Sequence, residues 1–199
     1  MQEIFQKIPQ GSLEYVKTLL ENENILIKLK NNRKTKHGDF SVKKDFSLEI
    51  TINSDMNPFR FLITLLHEIS HFFVYQDFGF KTKPHGFQWK TKFKELLTPV
   101  INNKVFPDEI LSPLAKYAIN PKASTDTDLD LSIALNKYNV SVSTYVLDLK
   151  QGDKFEASNK KKYLVIGKRT KRYECMEIDS KKTYLFSPNY KIMKVINEK

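Results

Sequence analysis

Five consecutive residues, His67-Glu68-Ile69-Ser70-His71, hold the most chemistry in this 199-residue chain. In an α-helix, side chains four apart stand one above the other, so two imidazoles at this spacing can grip a single metal ion. Glu68, beside the first of them, can reach a water bound to that metal. This is the HExxH pattern by which zinc peptidases activate water against an amide carbonyl. Catalytic zinc takes three protein ligands and keeps its fourth tetrahedral position open. The pair therefore needs a third donor, and His85 is the leading candidate. With it the set uses three of the four histidines in the chain. Asp77 competes, but it falls in the last turn of the same helix and points away from the His67/His71 face. Glu95 is a weaker competitor.

The elements that must position these groups are legible around them. Asn57-Pro58 reads as an N-cap followed by proline in the first turn, and Gly79 as the terminator. Between them Phe59, Leu62, Leu66, Ile69 and Phe73 recur at spacings of three and four, a core-facing stripe that sets the pentapeptide in mid-helix. A turn from Gly79 to Pro84 leads into His85-Gly86 and a second helix, Phe87 to Leu97, with Phe87, Trp89, Phe93, Leu96 and Leu97 as its apolar residues. Folding back of that turn brings His85 toward the first helix. Without it, His85 is a surface histidine in a turn.

Upstream, Leu13–Leu20 reads as a helix, Ile25–Leu29 as a short strand and Phe46–Ile52 as an alternating strand, with a basic turn from Asn31 to Gly38 between the two strands. Downstream, Pro107–Ala118 reads as helical and Pro121 as a break. The acidic and hydroxyl run Ser124–Asp130 is better read as helix capping than as a cation site. From Val140 onward, short β-rich segments alternate with turn clusters. The clearest strands are Tyr163–Ile166 and Thr183–Phe186. Cys175, the single cysteine, alternates with apolar neighbours and reads as buried filler.

The run Thr64-Leu65-Leu66-His67-Glu68-Ile69-Ser70-His71, followed by Lys83-Pro84-His85-Gly86-Phe87-Gln88-Trp89, resembles the SprT-like (Spartan-like) zinc metallopeptidases. Arg33-Lys34-Thr35-Lys36-His37-Gly38-Asp39-Phe40 and Ile50-Thr51-Ile52-Asn53 fit as the strands before the active-site helix. A weaker likeness continues through Asn120–Leu129, as in a bacterial subgroup. The resemblance implies a zincin-like metallopeptidase core; with the small antiparallel β module that the strand and turn pattern from Val140 onward predicts, the fold class expected is α+β. It implies one Zn2+ ion held by His67, His71 and His85, with Glu68 as general base. It also implies hydrolysis of peptide bonds in protein substrates, DNA-associated or DNA-crosslinked proteins among them. Many relatives end in a four-cysteine zinc ribbon. One cysteine cannot build that, so no second, structural zinc is expected.

The domain boundaries expected are 1–120 for the peptidase core, 121–142 for a helical connector and 143–199 for a basic β-rich module. The formal charge of +10 is uneven: residues 150–199 hold 14 Lys/Arg against 6 Asp/Glu. Lys168, Arg169, Lys171 and Arg172, with Tyr173 adjoining, form a patch suited to phosphate backbones and base stacking, so DNA or RNA is an expected partner. The alternative is a solvated lysine-rich face. No apolar run approaches the roughly 20 residues needed to cross a bilayer. The start of the chain has no signal-peptide pattern and no intrachain disulfide is possible, which points to the cytoplasm and to no membrane partner. A nucleic-acid-binding protein with a structural or vestigial zinc is the competing function. A hydrolase of non-peptide substrates on the same scaffold is a third.

Overall fold

Two hydrophobic cores form along the chain, one in each of two compact units, Met1–Asn139 and Val140–Lys199. The structure, a computed structural model, describes residues 2–31, 33, 35–140 and 143–196. Met1, Lys34 of the basic turn and residue 142, the expected end of the connector, lie outside the described residues. The described residues form a mixed α and β fold with six α-helices and two sheets.

The first unit runs α1 (Gln2–Phe5), α2 (Leu13–Leu20), β1 (Leu26–Lys30), β2 (Gly38–Val42), β3 (Leu48–Asn53), α3 (Pro58–Phe78), α4 (Phe87–Leu97), α5 (Asp108–Ile119) and α6 (Leu129–Asn136). Its sheet has the order β1-β3-β2, with β1 parallel and β2 antiparallel to β3. The alternation of β3 predicts one wet face, yet Glu49 and Thr51 are buried along with Ile50 and Ile52. Long basic side chains close over the polar positions: Lys28 and Lys43 each reach Glu49 at 2.6 Å, and Arg33 donates to the Thr51 hydroxyl at 2.8 Å. The strand begins at Leu48 rather than at Phe46. Phe46 lies before it with a positive φ of 64°, its ring exposed.

Helix α3 is the centre of this unit. Asn57 caps it by accepting from the Arg60 N–H at 2.9 Å, Pro58 occupies the first turn, and Gly79 ends it with φ 61°. The expected apolar stripe understates its burial. Every residue from Arg60 to Leu66 is buried, because the sheet lies on one side of α3 and α4 on another. Asn57 also donates to Leu135 O at 2.9 Å and to Asn139 at 2.8 Å, tying the start of α3 to the end of α6. Leu131, Ala134 and Leu135 of α6 are buried in the same core as α3. Residues 121–139, read from sequence as part of a connector, are therefore integral to the first unit.

The second unit is one five-stranded antiparallel sheet of order β7-β6-β5-β4-β8. Its strands are β4 (Lys154–Glu156), β5 (Lys162–Lys168), β6 (Tyr173–Glu177), β7 (Thr183–Phe186) and β8 (Lys194–Ile196). Phe155, Tyr163, Val165 and Cys175 are buried in its small core. Burial pushes the Cys175 thiol up to about 11, which keeps it protonated and inert.

Candidate metal centre and its cleft

His67 and His71 project from one face of α3, and the loop between α3 and α4 returns to set His85 against them. His85 sits in the left-handed region at φ 56°, a conformation histidine tolerates better than most residues, at the turn where the Gly86 N–H bonds Lys83 O at 2.9 Å. The three Nε2 atoms form a nearly equilateral triangle: 3.0 Å from His67 to His85, 3.0 Å from His71 to His85 and 3.2 Å from His67 to His71. Ligands on a tetrahedral zinc with bonds of 2.0–2.1 Å stand about 3.3–3.4 Å apart, so the triangle fits that ion closely. Among the described residues this is the one histidine, cysteine and carboxylate cluster of metal-binding geometry. Asp77, the competing third ligand, is exposed on the last turn of α3 and Glu95 lies on α4; neither joins the cluster.

The donor chemistry also fits. Burial, then the neighbouring His71 and His85, holds the His67 imidazole well below its ordinary range. Burial, then His85, lowers His71 to about 4, and burial lowers His85. All three rings are neutral near pH 7, so each offers the triangle a lone pair rather than a proton.

A wall of α4 aromatics holds these rings in place. The Trp89 indole lies 4.5, 5.3 and 4.7 Å from the His67, His71 and His85 rings, and it stacks on Phe93 at 4.9 Å. Its N–H reaches His67 O at 3.4 Å. Periodicity marks Trp89 only as core; that it touches all three imidazoles follows from the α3–α4 packing.

Glu68 turns toward β2. Its side chain fills the space where Gly38 has none: a Cβ at Gly38 would stand 2.5 Å from Glu68 Oε1, 2.7 Å from its Cγ and 2.9 Å from its Cδ. Burial, then the Asp39 charge, raises the Glu68 carboxyl to about 8, against the Phe40 amide and the charges of Arg33 and Lys36. The loop leading to Gly38 is pinned to β3. Arg33 donates to Asn53 at 2.8 Å, and Asn53 donates back to the carbonyls of Arg33 and Lys36 at 3.2 and 3.0 Å.

The triangle and Glu68 open on a cleft of about 620 Å³ between α3, the start of β2, the loop before α4 and the segment Ala123–Asp126. Arg60, buried one turn before Thr64, binds Asp126 and donates to Thr125 at 3.1 Å and Asn136 at 3.0 Å. Burial pushes the Asp126 carboxyl up, but hydrogen bonds and charges from His37 and Arg60 more than offset it and hold it at about 2. An ionised Asp126 can only accept, so His37 Nε2, 2.6 Å away, carries the proton. Capping accounts for Ser124, which accepts from the Asp126 N–H, and for Asp128, which accepts from the Leu131 N–H. It does not account for Asp126, and no local signal pairs Asp126 with Arg60 and His37.

The residues read as nucleic-acid contacts all lie in the β5–β6 hairpin of the second unit, with Lys168 ending β5, Tyr173 starting β6, and Arg169, Lys171 and Arg172 between. Arg169 is committed to a bidentate pair with Glu174 at 2.7 and 2.9 Å, and the Lys168 ammonium lies 5.9 Å over the Tyr173 ring. The hairpin is thus less uniformly positive than its sequence.

A model of the SprT-like family matches residues 2–107, a span that contains the three histidines, Glu68, Gly38 and Trp89. No curated protein matches the chain.

Proposed function

The chain belongs to the SprT-like family, and from that premise we propose that it is a zinc-dependent metalloendopeptidase with a zincin-like core. In this reading His67, His71 and His85 hold one zinc ion and Glu68 is the general base. The observation that carries it is the triangle of neutral ring nitrogens, 3.0–3.2 Å on an edge, beside a buried carboxylate and open to a cleft. A structural site would be closed by a fourth side chain and would have no use for Glu68.

Zinc, when bound, supplies a Lewis acid that acidifies water and polarises a carbonyl oxygen. The chain supplies the rest. Glu68 takes the proton of the attacking water and delivers it to the leaving amine nitrogen. Burial favours its protonated form and a nearby divalent cation favours its carboxylate, opposing influences that suit a group which must both accept and donate near neutral pH. Strand β2 is an edge of its sheet and its residues 38–40 line the cleft, so an extended peptide can add alongside it.

Protein substrates bound to nucleic acid belong to the same proposal, with the second unit as recruiter; the excess of 14 Lys/Arg over 6 Asp/Glu in residues 150–199 supports it. Zinc content and proteolysis of an unfolded protein, each with and without DNA, test the reading on wild type and Glu68→Gln. The expected result is one zinc per chain in both and cleavage by wild type alone. Equal cleavage by both, or metal lost with Glu68→Gln, sinks it.

A further inference from the structure

Phe80 lines the metal cleft and is 81% exposed, a large apolar surface beside the reaction site. It is the outer member of a continuous aromatic row. Phe72 is fully buried in the core; Phe40 of β2 packs on it at 6.2 Å; Tyr75 meets Phe40 at 5.7 Å; Phe80 meets Tyr75 edge-on at 5.0 Å. Val74 and Pro84 extend this apolar wall along the cleft. Phe80 stands five residues before His85 on the same loop, and the wall and the metal triangle line the same cleft.

Among the described residues that line the cleft, the charged side chains other than Glu68 pair with one another or with Arg60. Lys36 pairs with Asp39 at 2.8 Å, and Asp126 is held between Arg60 and His37. Charge on a substrate side chain therefore finds paired partners there, whereas Phe80 stands open to the cleft. A cleft of about 620 Å³ has the size of a small-ligand or short-peptide site.

From this geometry we propose that the Tyr75–Phe80 wall is a specificity pocket, receiving one aromatic or large aliphatic side chain of an extended polypeptide laid across the metal centre. The inference rests on the peptidase reading and gives it a substrate class: unfolded segments carrying exposed apolar residues, in preference to lysine-rich or acidic ones. Seating such a side chain covers the Phe80 ring and adds an aromatic contact to Tyr75.

The test uses the full chain with zinc, in the Glu68→Gln background, and fluorescein-labelled peptides that differ at one position occupied by Phe, Leu, Ala, Lys or Glu. Fluorescence anisotropy is expected to rank Phe and Leu above Ala, Lys and Glu. Adding Phe80→Ala should weaken the Phe peptide about tenfold and leave the Ala peptide almost unmoved. Phe80→Leu should restore part of the preference. Phe80 is exposed, so folding and zinc content should be unchanged. A ranking insensitive to Phe80→Ala, a preference for Lys or Glu, or displacement of the Phe peptide by single-stranded oligothymidine in a Phe80-dependent way would each overturn the pocket; the last would make Phe80 a base-stacking residue. Mapping wild-type cleavage sites separates the two layers. Cleavage with no Phe80-dependent preference removes the pocket and keeps the peptidase. Phe80-dependent binding with no cleavage keeps the pocket and removes the peptidase.

Discussion

Gly38→Ala should disable Glu68 without touching the metal ligands. The added Cβ would lie 2.5 Å from Glu68 Oε1, about 0.9 Å inside ordinary van der Waals contact. Glu68 is 6% exposed, and its Cγ and Cδ would also stand 2.7 and 2.9 Å from the new Cβ. Turning the carboxylate into the cleft therefore cannot relieve the clash alone, and the whole side chain must shift by most of that distance. A misplacement near 1 Å in a reacting group costs about 100-fold in rate, or about 2.7 kcal/mol of transition-state stabilisation. Gly38 is not among the glycines with positive φ, so alanine suits the backbone there and chain stiffening offsets part of the clash. The expected outcome is kcat/KM on an unfolded protein or quenched peptide reduced about 100-fold, with zinc content and thermal midpoint close to wild type. In the Glu68→Gln background the same substitution should add almost nothing, because the group it displaces has already lost its function. Activity within threefold of wild type, or a parallel loss of zinc, would refute the argument that the missing side chain exists to seat Glu68.

Three further predictions follow from the same geometry. Trp89→Ala, which removes the wall behind all three imidazoles, should weaken zinc binding roughly 10- to 100-fold in a chelator competition, while Trp89→Phe should retain most of it. Asp126 is held near 2 when folded, so its contribution to stability is complete above its unfolded value and is lost as pH falls from about 4 toward 2; discounted for a half-exposed side chain it amounts to about 1 kcal/mol. Urea midpoints of wild type and Asp126→Asn should accordingly converge across that window. Neutralising Lys171 or Arg172 should flatten the log-affinity against log-salt slope for DNA by about 0.7 to 0.9 each, and neutralising Arg169 by less, since Glu174 already pairs with it; unchanged retention on a DNA column after all of these substitutions would remove the hairpin as a contact.

What could be read from the chain alone was whatever short-range physics repeats along it. The period of the helix brings His67 and His71 onto one face, and the Asn57-Pro58 start and Gly79 stop bound α3 within itself. The α4 span, Phe87–Leu97, follows in the same way from its apolar spacing. His85 was reachable because only a short loop separates it from the end of α3, so the choice was among a few donors.

The rest was decided by contacts between residues far apart in sequence. Gly38 meets Glu68 thirty positions away, Arg60 meets Asp126 across 66, and His37 meets Asp126 across 89. Nothing in the neighbourhood of Gly38 distinguishes a glycine needed for a turn from one needed for a neighbour's carboxylate. Likewise Ser124 and Asp128 act within their own turns and were legible as caps, whereas Asp126 between them serves a buried guanidinium on another helix. Local sequence specifies which groups can do chemistry; packing of β2, α4 and residues 123–126 around α3 specifies which of them meet, because shape and burial are properties of the assembled core.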